Sequence, residues 1–286
     1  MPSTYAHLVF GRSLLASWPK ELRQAAGANI ELFLIGLHGP DILFYYRPLK
    51  PNPVSAVGFG QHEKPAAAFF GPAAELVHRS DESIRADQRA YLLGFICHFA
   101  LDLACHGYVE RKIREGVSHS EIEVEFDRSL MVDDGLDPLR HVLTGHIHPG
   151  KENAALIAPF FPGVTAGETD KALRGMIFYN RLLLVPHRWQ RDFVTGLLKL
   201  TGNDFEMRGL MVKLEPDPRC ADSCLRLKKL MAKAEKQCTE LAAEYMRCLE
   251  DETLPLPEAM KFTFGPAPGW EKLPVLKYEE ELAYEV

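Results

Sequence analysis

The 286-residue chain is short of several things, and each shortage removes a class of protein. Its six cysteines, at 97, 105, 220, 224, 238 and 248, are scattered and form no CxxC pair. That density cannot staple a disulfide scaffold, and Cys220 and Cys224 lack the partners of a thiolate zinc site. Basic residues do not dominate: 33 Lys and Arg stand against 39 Asp and Glu, a formal net charge of −6. No global positive field draws nucleic acid, and no basic run interleaved with aromatics offers a strand a stacking groove. Nucleic acid is therefore disfavoured as a partner. No continuous run of about eighteen apolar residues is present, so no membrane span is expected. The start, MPSTYAHLVFGRSLLASWPK, lacks the charged, apolar and small-residue succession of a secretory leader. The expectation is a cytoplasmic protein with reduced thiols. Period-two alternation is scarce, which argues against sheets.

Helical periodicity is what the sequence does carry. With 47% hydrophobic and 25% charged residues the chain can bury a sizeable core. The pattern predicts a helix over 20–37, ended by GLHGPD, and a Pro- and Gly-rich loop over 48–66. Helices are expected over 66–80 and 86–106, and another from Ser118, where SHSE reads as a capping box. Short helix and loop fit 133–150, and further helices fit 151–158, 168–183 and 187–201. The segment 221–250 carries an apolar stripe from Leu227 through Ala234 and Leu241 to Tyr245. The expected fold is all-α: one multi-helix domain over 1–250 around a buried helix, then an irregular C-terminal arm over 251–286.

The stretch HFALDLACH, 98–106, sets the functional question. Residues four apart lie about 40° apart around a helix, so His98, Asp102 and His106 share one stripe. The same helix is apolar nearly all round and should be central. An ionised carboxylate buried there without a partner is costly, so either a cation-bearing side chain or a metal must face it. The plain alternative is a hydrogen-bonded core histidine beside a structural Asp. Cys97 and Cys105 flank the stripe and read as packing residues. A second stripe follows: His119 and Glu123 are again four apart, with Asp127 one turn on. Imidazole and carboxylate at that spacing can chelate one ion from one helix face. His7 in YAHLVFG, Asp41 in GPDILF and His62 in the expected loop GFGQHEKP are further candidates, each ordinary by itself.

The ordered set His7, Asp41, His62, His98xxxAsp102, His106, His119xxxGlu123 resembles the zinc-dependent phospholipase C family, relatives of the single-strand-specific zinc nucleases. The resemblance covers about residues 1–130. It implies an all-α fold with two or three zinc ions, although His and carboxylate ligands also suit other divalent transition metals. It implies that Asp41, His62, His98 and Asp102 hold one ion, that Asp102 bridges to a second on His7, and that His106, His119 and Glu123 hold the third. The implied activity is hydrolysis of a phosphoester bond, phosphodiesters above all, in a small substrate or a phospholipid headgroup, with Asp41 as the proton acceptor for water. Secreted members use the amine and carbonyl of an N-terminal Trp beside the His7 metal. Here the chain starts Met1-Pro2, so Pro2 either begins a loop with water in that place or, once Met1 is removed, offers its own amine.

Other residues have two readings. Phe44, Tyr45 and Tyr46 either wall a site for a choline-like cation or belong to the core. His38 either orients Asp41 or caps a helix end, and His146 and His148 rim a pocket or lie in a solvated loop. Two competing functions stay open: a nuclease of the same architecture, and a metal-binding or interaction protein of this fold without catalysis. Other metal hydrolase patterns fit worse. There is no HExxH and no His-Asp dipeptide, and the one ExxH, Glu75 to His78, is half of what a di-iron bundle needs.

Overall fold

One long helix organises the molecule. In the computed structural model, which describes residues 4–201 and 210–286, all regular structure among those residues is helical, in one compact domain. Helices α1 (Thr4–Ser17), α2 (Lys20–Gly27), α3 (Ile30–Gly36), α4 (Pro53–His62) and α5 (Ala67–Arg79) precede α6 (Glu82–Ile113). After it come α7 (His119–Asp133), α8 (Lys151–Ile157), α9 (Ala166–Leu182), α10 (Arg188–Thr201), α11 (Ala221–Cys248) and α12 (Tyr278–Ala283). Every residue of α6 from 90 to 102 is buried. By length and composition α6 could cross a membrane, with a mean hydropathy of 1.4 over its best window, but 83% of that window is buried by the other helices. It is a core helix. Its isolated polar residues interrupt the continuous apolar run in the sequence without lowering the average much.

Two expected boundaries differ, for reasons of capping. The predicted single helix 20–37 is two, because Asn29 stops one and starts the next: its side-chain oxygen accepts from Leu32 N–H and its amide donates to Asp87. The predicted loop 48–66 contains α4. Asn52 caps it by accepting from Ser55 N–H, and Pro53 occupies the first helical position, where its missing N–H costs nothing. Prolines that read as breakers are here a helix start. The helix at 86–106 is also longer, running from 82 to 113.

Backbone contact places the site. A Cβ on Gly36 would lie 2.2 Å from the Tyr91 carbonyl oxygen, and one on Gly94 2.1 Å from that of Phe33. Helices α3 and α6 therefore cross almost backbone to backbone. Just beyond, Gly39 turns the chain with φ +49°, and a Cβ there would strike the His98 ring at 2.3 Å. The 3-10 turn Gly39–Tyr45 that follows is driven against α6. The C-terminal arm is draped on the body and fastened. Arg226 on α11 makes a two-pronged, fully buried ion pair with Glu281 on α12, at 2.6 and 2.8 Å. All six cysteines are free thiols.

Candidate metal centre

Five elements deliver polar side chains to one spot. His7 comes from α1, Asp41 from the 3-10 turn, and His62 from the last position of α4 rather than from a loop. His98, Asp102 and His106 come from one stripe of α6, and His119 and Glu123 from the first turns of α7. The expected capping box is present: Ser118 accepts from Glu121 N–H while the Glu121 carboxylate accepts from Ser118 N–H. It fixes where α7 starts, and so where His119 points. Asp127, one turn beyond Glu123, does different work. Its two oxygens accept from Tyr5 and Ala6 N–H at 3.0 and 2.8 Å, satisfying the start of α1 and favouring its dipole. His7 is the next residue.

The candidate ligand atoms fall into three groups, each with all its atoms within 4.8 Å of one another: His7, His98 and Asp102; Asp41, His62 and His98; and His106, His119 and Glu123. Asp102 stands at the middle. Its Oδ1 lies 3.3 Å from His7 Nε2 and 3.7 Å from His106 Nε2, and its Oδ2 lies 3.2 Å from His98 Nε2 and 4.0 Å from His62 Nε2. Asp41 Oδ1 is 3.0 Å from His62 Nε2 and its Oδ2 is 3.8 Å from His98 Nε2. Glu123 Oε1 lies 3.0 Å from His119 Nε2 and 3.6 Å from His106 Nε2.

Burial opposes charge on these carboxylates, yet the imidazoles outweigh it. His106, His98 and His7 hold Asp102 well below the usual carboxylate range, and His98 and His62 lower Asp41. Glu123 is likewise desolvated and lowered, with His119 the chief cause. In return, burial acts against a charged His62, but Asp41 and Asp102 carry it up to about 9. Glu123 lifts His119 to about 10 against the effect of burial.

The arrangement fits zinc by a test independent of ligand type. Every one of the five imidazoles turns Nε2 toward the carboxylates. Three have the opposite ring nitrogen anchored. His62 Nδ1 donates to Gly58 O at 3.0 Å, His106 Nδ1 to Phe264 O at 2.6 Å, and His119 Nδ1 faces Glu110 Oε1 at 3.4 Å. Such outer partners fix the tautomer that leaves Nε2 free for a metal. Fully buried His98 makes no hydrogen bond of regular geometry at either nitrogen, a cost that a metal at Nε2 would relieve. Nitrogen and carboxylate donors without thiolates suit a hydrolytic zinc site.

The remaining candidates are distributed differently. Tyr45 and Tyr46 are core residues, and the Tyr45 hydroxyl is within 3.3 Å of Asn180 Nδ2. Phe44, also buried, stacks on half-exposed Phe59 at 4.2 Å, with His62 beside it at 5.4 Å between ring centres. His38 pairs with His146, Nε2 to Nε2 at 2.7 Å, so His146 is buried rather than on a rim, while His148 is exposed. Desolvation keeps both partners neutral, pushing His146 down to about 4. His38 meets Asp41 only through its backbone carbonyl, which accepts from Asp41 N–H. Pro2 lies outside the described residues. Phe264 and Phe59 carry no signal in the sequence: one acts through a backbone carbonyl from 158 residues away, the other is a lone aromatic in what read as a loop.

A model of the family described as zinc-dependent phospholipase C matches residues 6–160, a little over half of the chain, and that span contains every His, Asp and Glu ligand candidate named above. No curated protein and no solved structure matches. The chain belongs to the zinc-dependent phospholipase C family.

Proposed function

We propose that the protein is a zinc-dependent phosphoric diester hydrolase acting at the headgroup phosphodiester of a phospholipid. The observation that carries this is the placement of Asp102. Its two oxygens divide between His7 and His98, 3.3 and 3.2 Å away, as a carboxylate shared by two ions would. Asp41, His62, His98 and Asp102 would hold one ion, His7 and Asp102 a second, and His106, His119 and Glu123 a third. Bound there, zinc supplies Lewis acidity toward phosphoryl oxygens and lowers the pKa of water.

The chain's own groups complete the chemistry. Asp41 is ionised at neutral pH and buried, so it can accept a proton from attacking water, and its second oxygen faces His98. His62 and His119 are the ligands most open to solvent, at 24% and 31%, and mark the side from which a substrate enters. The stacked Phe44–Phe59 pair lines that side beside His62 and gives an apolar surface for the substrate's non-phosphate part.

The test is hydrolysis of a nitrophenyl phosphodiester and release of phosphorylated headgroup from phospholipid. Both should be abolished by a chelator and restored by zinc. Asp41→Asn should lower the rate by about 10² or more. Zinc-loaded protein inert on a broad phosphoester panel would instead support a metal-binding protein of this fold without catalysis.

A further inference from the structure

The consecutive helices α9 and α10 have a surface unlike the rest. On α10, Val194 turns inward and joins Val185 and Met211 in a small apolar cluster separate from the main core. Trp189 and Phe193, four residues apart and so on one face, point away from it and are 68% and 69% exposed. Phe178 on α9 is 60% exposed. These are the three most exposed aromatic side chains among the described residues. Single exposed apolar residues are ordinary, but two exposed aromatics one turn apart on the same helix face mark a contact surface.

Charge points to the contact. From Ala166 to Thr201 there are six Lys or Arg and three Asp or Glu, a net +3, in a chain whose total is −6. Arg181, Arg188 and Lys199 are exposed and form no ion pair among the described residues. Helix α9 also packs against the turn that carries Asp41. A Cβ on Gly175 would lie 2.3 Å from the carbonyl oxygen of Tyr45, the last residue of the turn that carries Asp41.

We propose that α10, with the end of α9, docks the protein on an anionic phospholipid surface, with Trp189 and Phe193 seated among the headgroups and Arg181, Arg188 and Lys199 against lipid phosphates. Projecting aromatics beside unpaired cations are the pattern of a helix lying in a membrane interface. A second copy of the same face is disfavoured, because two net-positive surfaces repel. The proposal deepens the phospholipid reading of the metal centre and rests on it for purpose, but it is tested by binding alone.

The experiment uses the full, zinc-loaded chain with two vesicle types, phosphatidylcholine alone and phosphatidylcholine mixed with phosphatidylglycerol. Co-sedimentation measures binding. Tryptophan emission should shift to the blue on binding, since Trp18 is already buried and Trp189 is the most exposed of the chain's three. Binding should favour the anionic vesicles and weaken with salt. Trp189→Ala with Phe193→Ala should reduce it by about tenfold or more, and Arg188→Glu with Lys199→Glu should erase the anionic preference. Hydrolysis of a soluble nitrophenyl phosphodiester should be unchanged in the aromatic variant, which shows that it is folded. Failure to bind anionic vesicles, or binding unaffected by the aromatic substitutions, overturns the proposal. So does a concentration-dependent oligomer or an acidic protein partner that those substitutions release without any vesicle binding. Vesicle binding lost in the aromatic variant of a protein inert on the soluble ester supports docking and counts against the catalytic reading only.

Discussion

The inner and outer parts of the metal centre are built by different means. Of the inner ligands, His7, Asp41, His98 and Asp102 are at most 5% exposed and come from three elements that meet through close packing, and His62, 24% exposed, closes the group from the end of α4. Gly36, Gly39 and Gly94 make that approach possible. The outer ligands His106, His119 and Glu123 lie on two consecutive helices. His119 is 31% exposed, and His106 is steadied by a backbone carbonyl from the C-terminal arm. The inner part is fixed by the fold itself, so its ligands have nowhere to relax when a metal leaves. The outer part depends on a helix cap and a distant arm, and water reaches it. An inner ion should therefore be held tightly and exchange slowly, and an outer ion should be held less tightly.

The most severe way to break this contrast is at the residue that spans it. Asp102 faces His7, His62 and His98 inside and His106 at the boundary. Asp102→Asn should lower metal content by at least one ion per chain and reduce hydrolysis more than any other single ligand change. Elemental analysis and rate on the nitrophenyl ester, measured on the same sample, check it.

A gentler break separates the two parts. Glu123→Gln should remove the outer ion and leave the inner content as in the wild type. Equal loss at both parts would mean that the centre is one cooperative unit. Smaller still is the effect expected at Phe264, whose ring packs 5.9 Å from His98 and 5.4 Å from His62, and whose carbonyl holds His106. Phe264→Leu should shift the arm and weaken the outer metal by about tenfold, the lower end of what a lost supporting partner costs. Chelator competition resolves the outer from the inner ion.

The smallest effect sharpens the comparison without removing a ligand from either part. The His38–His146 pair is buried and neutral, with His146 pushed down to about 4 by desolvation and Arg12. A folded pKa below the unfolded value of about 6.5 makes the unfolded chain bind the extra proton, so stability is full above that pH and is lost as pH falls toward 4. His146 alone should account for about 2 kcal/mol of loss at pH 5. Denaturant melts of chelated protein at pH 7.5 and 5, with His146→Gln, should show that part of the loss removed. A pH dependence unchanged in the variant would mean that other groups cause it.

What could be read in advance follows from range. The pairs His98–Asp102–His106 and His119–Glu123 are four apart on helices, so the sequence itself puts them side by side. Asp41 and His62 show no such spacing and were legible only as members of an ordered set that resembles a family. The helical character was legible from periodicity, but the break at Asn29 and the start at Pro53 were not, because each turns on one cap that periodicity does not weigh. Least legible were contacts through the backbone or across long separations. The Phe264 carbonyl has no side-chain signature, and Asp127 reads as another turn of a ligand stripe until the start of α1 is seen against it.

The central claim is that these side chains form a metal centre, and metal content tests it most directly. Protein purified without added metal, then dialysed against excess zinc and freed of unbound ion, should contain at least two zinc ions per chain by elemental analysis, one of them resistant to mild chelation. Protein that takes up no stoichiometric divalent metal under these conditions would contradict the account.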